Sequence, residues 1–225
     1  DPNGVPAQLD EVIEALALIQ YQLDGMQKGI GKNADDLEKF RGAAVELVAF
    51  DALHDARLPE VDGLFIGGGF PETRLDELAD NHSLINDIRT FIEQGGPAYA
   101  ECGGLMYLCR SLTWEKNQRK MVGVIDADAV MYPRPQGRGY GRLREATSHP
   151  WSGLKTAAAL SAHEFHYSGL ESIASDTVFA YQVERGHGVD GQHDGIVYKN
   201  LLANYMHLRD AGENHWVTRF VDHVR

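Results

Sequence analysis

The sequence has little cysteine, no long apolar run and no excess of basic residues. No stretch of 18 apolar residues is present, so no membrane span is expected. Lys and Arg number 21 against 33 Asp and Glu, and the formal net charge is −12. A protein that binds duplex nucleic acid needs a positive face, so neither a nucleic acid nor a membrane is expected as a partner.

The only two cysteines are Cys102 and Cys109. We predict that they share one turn and its helix, where a seven-residue separation spans roughly 10 Å. That is too far for a disulfide. Free thiols fit a reducing compartment, so we expect a cytoplasmic protein.

The order of apolar segments predicts an α/β fold. Hydrophobic residues make up 43% of 225 residues, enough for one substantial core. Short strands are predicted at residues 45–50, in GLFI and in PAYAE, with a helical region between the last two and a final amphipathic helix in NHWVTRFVDHV. Strands that alternate with helices indicate a doubly wound, mostly parallel sheet flanked by helices.

The N-terminal region has a different pattern. Apolar spacing from Gln8 to Met26 predicts an amphipathic helix, and QKGIGKN follows as a glycine-rich loop. The loop lacks the phosphate-binding pattern, because Met26 stands where a glycine is needed and Asn33 where a Ser or Thr is needed. Since the first residue is Asp1 and not Met, we expect the chain to be either a piece of a longer protein or a processed product.

Cys102 lies at the junction of a predicted strand and a predicted helix, in AECGGLMYL. A helix N-terminus favours the thiolate, which is the nucleophilic form of cysteine. Gly103 and Gly104 permit the sharp backbone turn that such a junction requires. This arrangement is typical of a nucleophile elbow, although a buried structural cysteine beside a glycine turn would have the same sequence. Cys109, inside the predicted helix, is expected to pack as a small hydrophobe.

A thiol nucleophile also needs an oxyanion hole and a base. The glycines of GLFIGGGFPE follow a neighbouring parallel strand, so we expect them at the same edge of the sheet as Cys102. Among ten histidines, His207 is the best placed as base, at the end of the apolar segment LLANYM, and His163 and His166 come next.

No metal site is predicted. His187 and His193 flank a glycine loop and would be the best candidates for metal ligands. However, no set of cysteines or carboxylates completes a ligand shell of known spacing around them.

Several motifs together resemble one protein family. IGGGFPE, AECGGLMYL, AHEFHYS and NYMHL occur in this order, and GRGYGRLRE and DGQHDGIVYKN add to the match. They resemble the glutaminase domain of cobyrinic acid a,c-diamide synthase, a member of the class I glutamine amidotransferase-like fold. The resemblance runs from roughly residue 33 to residue 225.

The resemblance implies roles for individual residues. Cys102 attacks the side-chain amide of glutamine and releases ammonia, and His207 moves the proton. The oxyanion and substrate-binding set that it implies comprises Gly68, Gly69, Gly103, Glu164 and His166. Many relatives carry an orienting glutamate two residues after the histidine, where this chain has Arg209. The third catalytic member is left open, with Glu164 as a hypothesis.

The resemblance also implies a second domain. Complete enzymes of this family have an ATP-binding domain ahead of the glutaminase domain, so ATP and Mg²⁺ are implied there and no cofactor is implied here. We expect residues 1–32 to be an N-terminal helix and linker, the tail of that preceding domain, and residues 33–225 to be the amidotransferase domain. The first strand usual in the family is not evident before residue 33.

A positive patch fits the implied substrate, a tetrapyrrole polycarboxylate. Arginines recur in YPRPQGRGYGRLRE, which we predict to be a loop. Guanidinium groups pair well with carboxylates, so Arg138 and Arg142 are candidates for binding the macrocycle. A solvated loop would have the same composition.

Three readings of the function remain open from the sequence. The leading one is a glutaminase that feeds ammonia to ATP-driven amidation of cobyrinic or hydrogenobyrinic acid, with siroheme or nickel-sirohydrochlorin as alternative acceptors. The second is a cysteine hydrolase of a peptide or small amide on the same fold. The third is a binding module that keeps the fold without catalysis. A homodimer is an open alternative to a monomer.

Overall fold

The computed structural model describes residues 14–19, 38–40, 42–43, 45–151, 159–210 and 214–225. Its strands are β1 Glu14–Ile19, β2 Val45–Phe50, β3 Gly63–Ile66, β4 Ala98–Glu101, β5 Cys109–Trp114, β6 Asn117–Lys120, β7 Ile125–Met131, β8 Gly137–Glu145, β9 Leu160–His166, β10 Ser168–Glu171, β11 Val178–Arg185, β12 His193–Tyr198, β13 Leu201–Asn204 and β14 His207–Leu208. Its α-helices are α1 Leu75–Asp80, α2 His82–Glu93, α3 Gly103–Leu108 and α4 Trp216–Val224, and a 3₁₀ turn spans Pro71–Arg74. None of these helices is long and apolar enough to cross a membrane.

Ten strands form one sheet in the order β14-β9-β8-β11-β12-β13-β4-β3-β1-β2. The pairs among β2, β1, β3, β4 and β13 are parallel. The pairs from β13 outward to β14 are antiparallel. The predicted α/β fold with flanking helices is therefore confirmed, and its parallel part is the half that contains β4 and Cys102.

The predicted helix over residues 8–26 is wrong for residues 14–19. These residues form β1, a strand between β2 and β3 with parallel pairing on both sides. A segment as short as EALALI fits either periodicity, and pairing with two neighbours decides in favour of the strand. We predicted a domain boundary after residue 32. Because β1 lies before that boundary and β2 lies after it, residues from both sides contribute to one sheet. The glycine-rich loop at residues 27–33 lies outside the described residues.

The central strands are buried on both faces, which is typical of parallel sheets covered by helices. Leu64 and Ile66 of β3 pack in one cluster with residues of α1, α2 and α3. Phe65 points to the opposite face and packs with Tyr99 and with α4, through Trp216 and its neighbours. The final amphipathic helix predicted from the sequence is thus confirmed, and it covers the face opposite α1, α2 and α3.

Two local predictions are wrong. Cys109 does not lie within a helix, because α3 ends at Leu108 and Cys109 begins β5. It is nevertheless buried, as expected of a small hydrophobe, and its thiol donates to the carbonyl of Leu105 at 3.3 Å. The arginine-rich segment 137–145 is not a loop but strand β8. β5 belongs to a second sheet of four strands, in the order β10-β7-β5-β6.

A buried carboxylate fixes the turn between β13 and β14. Asp194 accepts hydrogen bonds from the backbone N–H groups of Gly195, Tyr205 and Met206, each at 2.9 Å. Burial raises the pKa of Asp194 to about 6, against the lowering effect of these three bonds. Since His207 follows Met206 directly, Asp194 sets the position at which His207 enters the sheet edge.

We expect Asp194→Asn to destabilise the protein, because its amide nitrogen would face the N–H of Met206 and leave a buried donor unpaired. The free energy of unfolding should fall by about 1–3 kcal/mol, measured by urea denaturation at pH 8. Asp176→Asn, at an exposed position, is the matched control and should change the value little. Equal stability of the two variants would contradict the anchoring role of Asp194.

Candidate active site

Cys102 occupies a strained turn between β4 and α3. Its backbone dihedrals are φ 48° and ψ −104°, in a region that non-glycine residues rarely adopt. The N–H of Cys102 donates to the carbonyl of Asn204 at 2.7 Å, and its own carbonyl accepts from Met106 at 3.1 Å. These bonds hold the turn between β13 and the new helix. The residue is 7% exposed, so the thiol is mostly shielded but reachable.

The glycines around the turn are required by close packing of backbone on backbone. A Cβ atom on Gly103 would lie 2.5 Å from the carbonyl oxygen of Gly69 and 2.8 Å from its nitrogen. A Cβ on Gly104 would lie 2.3 Å from the carbonyl oxygen of Ile66. The loop after β3 therefore lies against the elbow after β4, as predicted from the carboxyl ends of two neighbouring parallel strands.

His207 begins β14 and lies beside Cys102, whose side chain raises the pKa of the imidazole. A Cβ on Gly68 would lie 2.4 Å from Cε1 of its ring. The structure thus brings together Cys102, His207 and the three glycines 68, 69 and 103 that the resemblance implies. Among the described residues, no backbone hydrogen bond uses the N–H of Gly68 or Gly69, and the N–H of Gly103 lies in the first turn of α3, where helical donors lack partners.

Glu101 is the carboxylate that holds His207. Its Oε2 accepts from Nδ1 of His207 at 3.1 Å, and its Oε1 accepts from the N–H of Leu208 at 3.0 Å and from the hydroxyl of Tyr99 at 2.5 Å. The residue is 4% exposed. Because Nδ1 is engaged by Glu101, Nε2 is the nitrogen left for the sulfur, which is the arrangement of a cysteine–histidine–acid triad.

The two partners of His207 change its charge state. Burial by itself lowers the pKa of His207, but the hydrogen bonds with Cys102 and Glu101 outweigh burial and raise the pKa to about 10. The imidazole is therefore protonated near neutral pH. A positive charge beside a cysteine sulfur favours the nucleophilic form of cysteine in general, and Glu101 balances the positive charge of His207.

Glu164, the orienting acid hypothesised from the sequence, does not contact His207. It is buried, and its carboxylate accepts from the N–H groups of His187 at 2.8 Å and Gly188 at 3.1 Å. Its other contact is Nε2 of His166 at 3.4 Å. Burial works to raise the pKa of Glu164, but these hydrogen bonds prevail and lower it. The orienting position belongs to Glu101, and the hypothesis for Glu164 is wrong.

His166 lies beneath the site and not in contact with the thiol. Its Nδ1–H donates to the carbonyl of Ser168 at 2.7 Å, and its ring stacks on Tyr205 with centroids 4.2 Å apart. Tyr205 is buried two residues before His207. Glu164 and His166 thus form a buried polar layer under the β13–β14 turn, and a direct role for either in binding substrate stays a prediction.

The other histidine candidates are placed elsewhere. His163 lies opposite His207 in the register of β9 and β14. His193 pairs with Asp190 at 2.9 Å in a surface turn, and the N–H of His187 is bound to Glu164. Within the part of the chain that the structure describes, no cluster of three or more His, Cys, Asp or Glu side chains could hold a metal ion.

The arginines proposed for the macrocycle lie along one outward face of β8. Arg138 and Arg142 are exposed and lie four residues apart, which places them on the same face of the strand. Their register partners on β9 are Phe165 for Arg138 and Ser161 for Arg142. Binding of a macrocycle by these residues stays a prediction.

The fold defined above is that of glutamine amidotransferases. The solved structure of PurLQS from Thermotoga maritima superposes with a TM-score of 0.64 at 13% sequence identity, covering 94% of this chain and 97% of that chain. At that identity the likeness concerns the fold alone.

The chain belongs to the CobB/CobQ-like glutamine amidotransferase domain family, which it matches over residues 30–214. It is 44% identical over 182 residues to the cobyrinate a,c-diamide synthase of Magnetococcus marinus, covering 81% of this chain and 38% of that protein. It is 42% identical over 189 residues to that of Archaeoglobus fulgidus, covering 84% of this chain and 40% of the relative. The resemblance inferred from the motifs is confirmed, and the chain spans about two fifths of the length of these relatives.

We expect Glu101→Gln to lower the pKa of His207, because the imidazolium loses its anionic partner. The rate at which a diazo-ketone analogue of glutamine alkylates Cys102 should decline near pH 10 in the parent protein. In the variant this decline should move to lower pH, and the rate at pH 8 should fall by roughly 10- to 100-fold.

The matched comparison is Glu164→Gln, which removes the same charge from a buried carboxylate that has no contact with His207. In this variant, the decline of the alkylation rate at alkaline pH should stay near pH 10. If this decline moved to lower pH in Glu164→Gln and not in Glu101→Gln, Glu164 and not Glu101 would be the residue that orients His207.

We expect Gly68→Ala to displace the imidazole of His207, because the added methyl group would overlap Cε1. Alkylation of Cys102 should slow by at least about tenfold, since a misplaced base no longer reaches the sulfur. Gly42→Ala is the control, as nothing lies within 4 Å of a Cβ there. Unchanged alkylation in both variants would show that the packing of Gly68 on His207 does not position the base.

Proposed function

We propose that this chain hydrolyses glutamine through Cys102 and supplies ammonia to an ATP-dependent synthetase that amidates cobyrinate. The observation that carries the proposal is the placement of His207 beside Cys102, with its Nδ1 held by the buried Glu101 at 3.1 Å, next to the loop of Gly68 and Gly69. The 42–44% identity to two cobyrinate a,c-diamide synthases supports the choice of acceptor.

The chemistry follows from the positions of these groups. The Cys102 thiolate attacks the side-chain carbonyl carbon of glutamine, and the carbonyl oxygen becomes an oxyanion that the N–H groups of Gly69 and Gly103, with Gly68, stabilise. The imidazolium of His207 protonates the departing nitrogen as the C–N bond breaks, which leaves a glutamyl thioester and ammonia. His207 is then neutral and takes a proton from the water that attacks the thioester, and expulsion of the sulfur releases glutamate and restores the thiolate–imidazolium pair.

Glu101 contributes by orienting the ring and by balancing its charge during both steps. Without an anion at that position, the imidazolium in this mostly buried site would be penalised by desolvation. The position two residues after His207, which holds an acid in many amidotransferases, is then free to carry Arg209.

The remaining parts of the reaction are assigned to the portion of the enzyme that this chain does not include. Its relatives are more than twice as long, and we propose that the additional length contains the domain that binds ATP and Mg²⁺ and activates the carboxylates of the macrocycle. We further propose a cytoplasmic enzyme, in which the tail of the preceding domain enters this chain ahead of β1.

We expect incubation with the diazo-ketone analogue of glutamine to yield one covalent adduct, on Cys102, detected by peptide mass spectrometry. Burial raises the pKa of the Cys109 thiol, so Cys109 should remain unmodified. Cys102→Ser should abolish the adduct and His207→Ala should slow its formation by roughly 100-fold or more. Ammonia release from glutamine should disappear in the same two variants.

A peptide hydrolase on the same fold would give a different result. It would release no ammonia from glutamine and would cleave short peptides at a rate that depends on Cys102. A binding module without catalysis would show labelling of Cys102 no faster than that of free cysteine. Either outcome would contradict the proposed glutaminase.

A further inference from the structure

A groove of about 400 Å³ opens on the outward face of the antiparallel half of the sheet. It is lined by arginine, tyrosine and small residues: Tyr140, Gly141, Arg142, Ser161, Ala162, Arg185 and Arg209. Its volume lies within the range usual for sites that bind small molecules. Three guanidinium groups around one groove are notable in a chain of net charge −12.

These arginines are poorly neutralised by acidic side chains. Arg142 has one carboxylate nearby, Glu184 at 4.0 Å, which also pairs with Arg144. Among the described residues, no ion pair within 4.0 Å involves Arg185 or Arg209. The guanidinium of Arg209 instead lies over the ring of Tyr140, 5.7 Å from its centroid, and Tyr140 itself is 64% exposed.

Strand register explains why these residues converge. Arg142 lies opposite Ser161 on β9 and opposite Arg185 on β11. Facing residues of paired antiparallel strands project from the same side of the sheet. A Cβ on Gly141, between Tyr140 and Arg142, would lie 2.4 Å from the sulfur of Met206, so the inner face here is closely packed.

The same register connects the groove to the catalytic histidine. Tyr140 lies opposite His163, and His163 lies opposite His207, so the row that forms one wall of the groove continues to the proposed base. Arg209 follows His207 by two residues. Because Glu101 supplies the acid, Arg209 is not needed to orient the ring and lines the groove instead.

We propose that this groove binds carboxylate groups of a ligand of the enzyme. Guanidinium groups present paired N–H donors that match the two oxygens of a carboxylate, and Ser161 adds a hydroxyl donor. The carboxylates have two sources: the acidic side chains of the tetrapyrrole acceptor, which rests on the proposed function, or the α-carboxylate of glutamine. Unlike the patch predicted from the sequence, the groove includes Arg185 and Arg209 and does not include Arg138.

The first arm of the test measures binding of cobyrinate to the 225-residue chain by equilibrium dialysis. If the acceptor is the source, Arg185→Gln and Arg209→Gln should each raise its Kd by about tenfold. Arg119→Gln removes the same charge from an exposed position on β6 of the second sheet and should leave the Kd within about twofold. Circular dichroism and the melting temperature establish that each variant is folded.

The second arm measures the glutamine concentration that half-protects Cys102 from the diazo-ketone. A tenfold rise in Arg185→Gln, with cobyrinate binding unchanged, would assign the groove to the α-carboxylate of glutamine. If neither measurement changes in folded Arg185→Gln and Arg209→Gln, the proposal is wrong. Displacement of cobyrinate by an equal concentration of inorganic phosphate would also overturn it, because the arginines would then attract any anion.

The two proposals fail separately. If Cys102 is labelled normally and ligand binding is unchanged in the arginine variants, the proposed carboxylate site is wrong and the proposed glutaminase stands. If those variants lose cobyrinate binding and Cys102 of the parent chain does not react, the proposed glutaminase is wrong and the proposed carboxylate site stands.

Discussion

The buried carboxylate of Glu101 is the group on which the site depends. It accepts from the imidazole of His207, from the backbone of Leu208 and from the hydroxyl of Tyr99, and so ties strand β14 to strand β4. Together with the neighbouring Cys102, this anion raises the pKa of His207, so the imidazole is protonated near neutral pH. Ionised groups are tolerated in this interior because each has an opposite charge or several donors beside it.

The surrounding fold positions Cys102, His207 and Glu101 relative to one another. Parallel strands β3 and β4 deliver two glycine turns to the same edge, where backbone packs on backbone with no room for side chains. The parallel neighbour β13 receives the N–H of Cys102 and leads to His207 through a turn held by Asp194. Aromatic packing of Phe65, Tyr99 and Trp216 behind these strands resists displacement of the whole edge.

Local patterns were sufficient to predict much of this arrangement. The strands at residues 45–50 and in GLFI and PAYAE stand out because apolar runs end at glycines or charges, and the elbow stands out because a cysteine precedes two glycines. EALALI was mistaken for part of a helix, because its strand state depends on pairing with β2 and β3, which are distant in sequence. Glu101 was missed for a related reason: its contact with His207 spans 106 residues. One signal was available, since a charged residue ends the otherwise uncharged strand AYAE and lies next to the thiol.

Glu101 and Cys102 are neighbours in sequence, whereas His207 lies on a separate strand, β14. Their meeting depends on a single alignment, in which Asn204 lies opposite Glu101. Successive side chains of a strand point to opposite faces, so a slip of one residue between β4 and β13 would turn the imidazole away from both partners. Misaligned molecules would therefore be inert without being unfolded, and the reactivity of the thiol becomes a direct assay for how many molecules in a preparation have paired these two strands correctly.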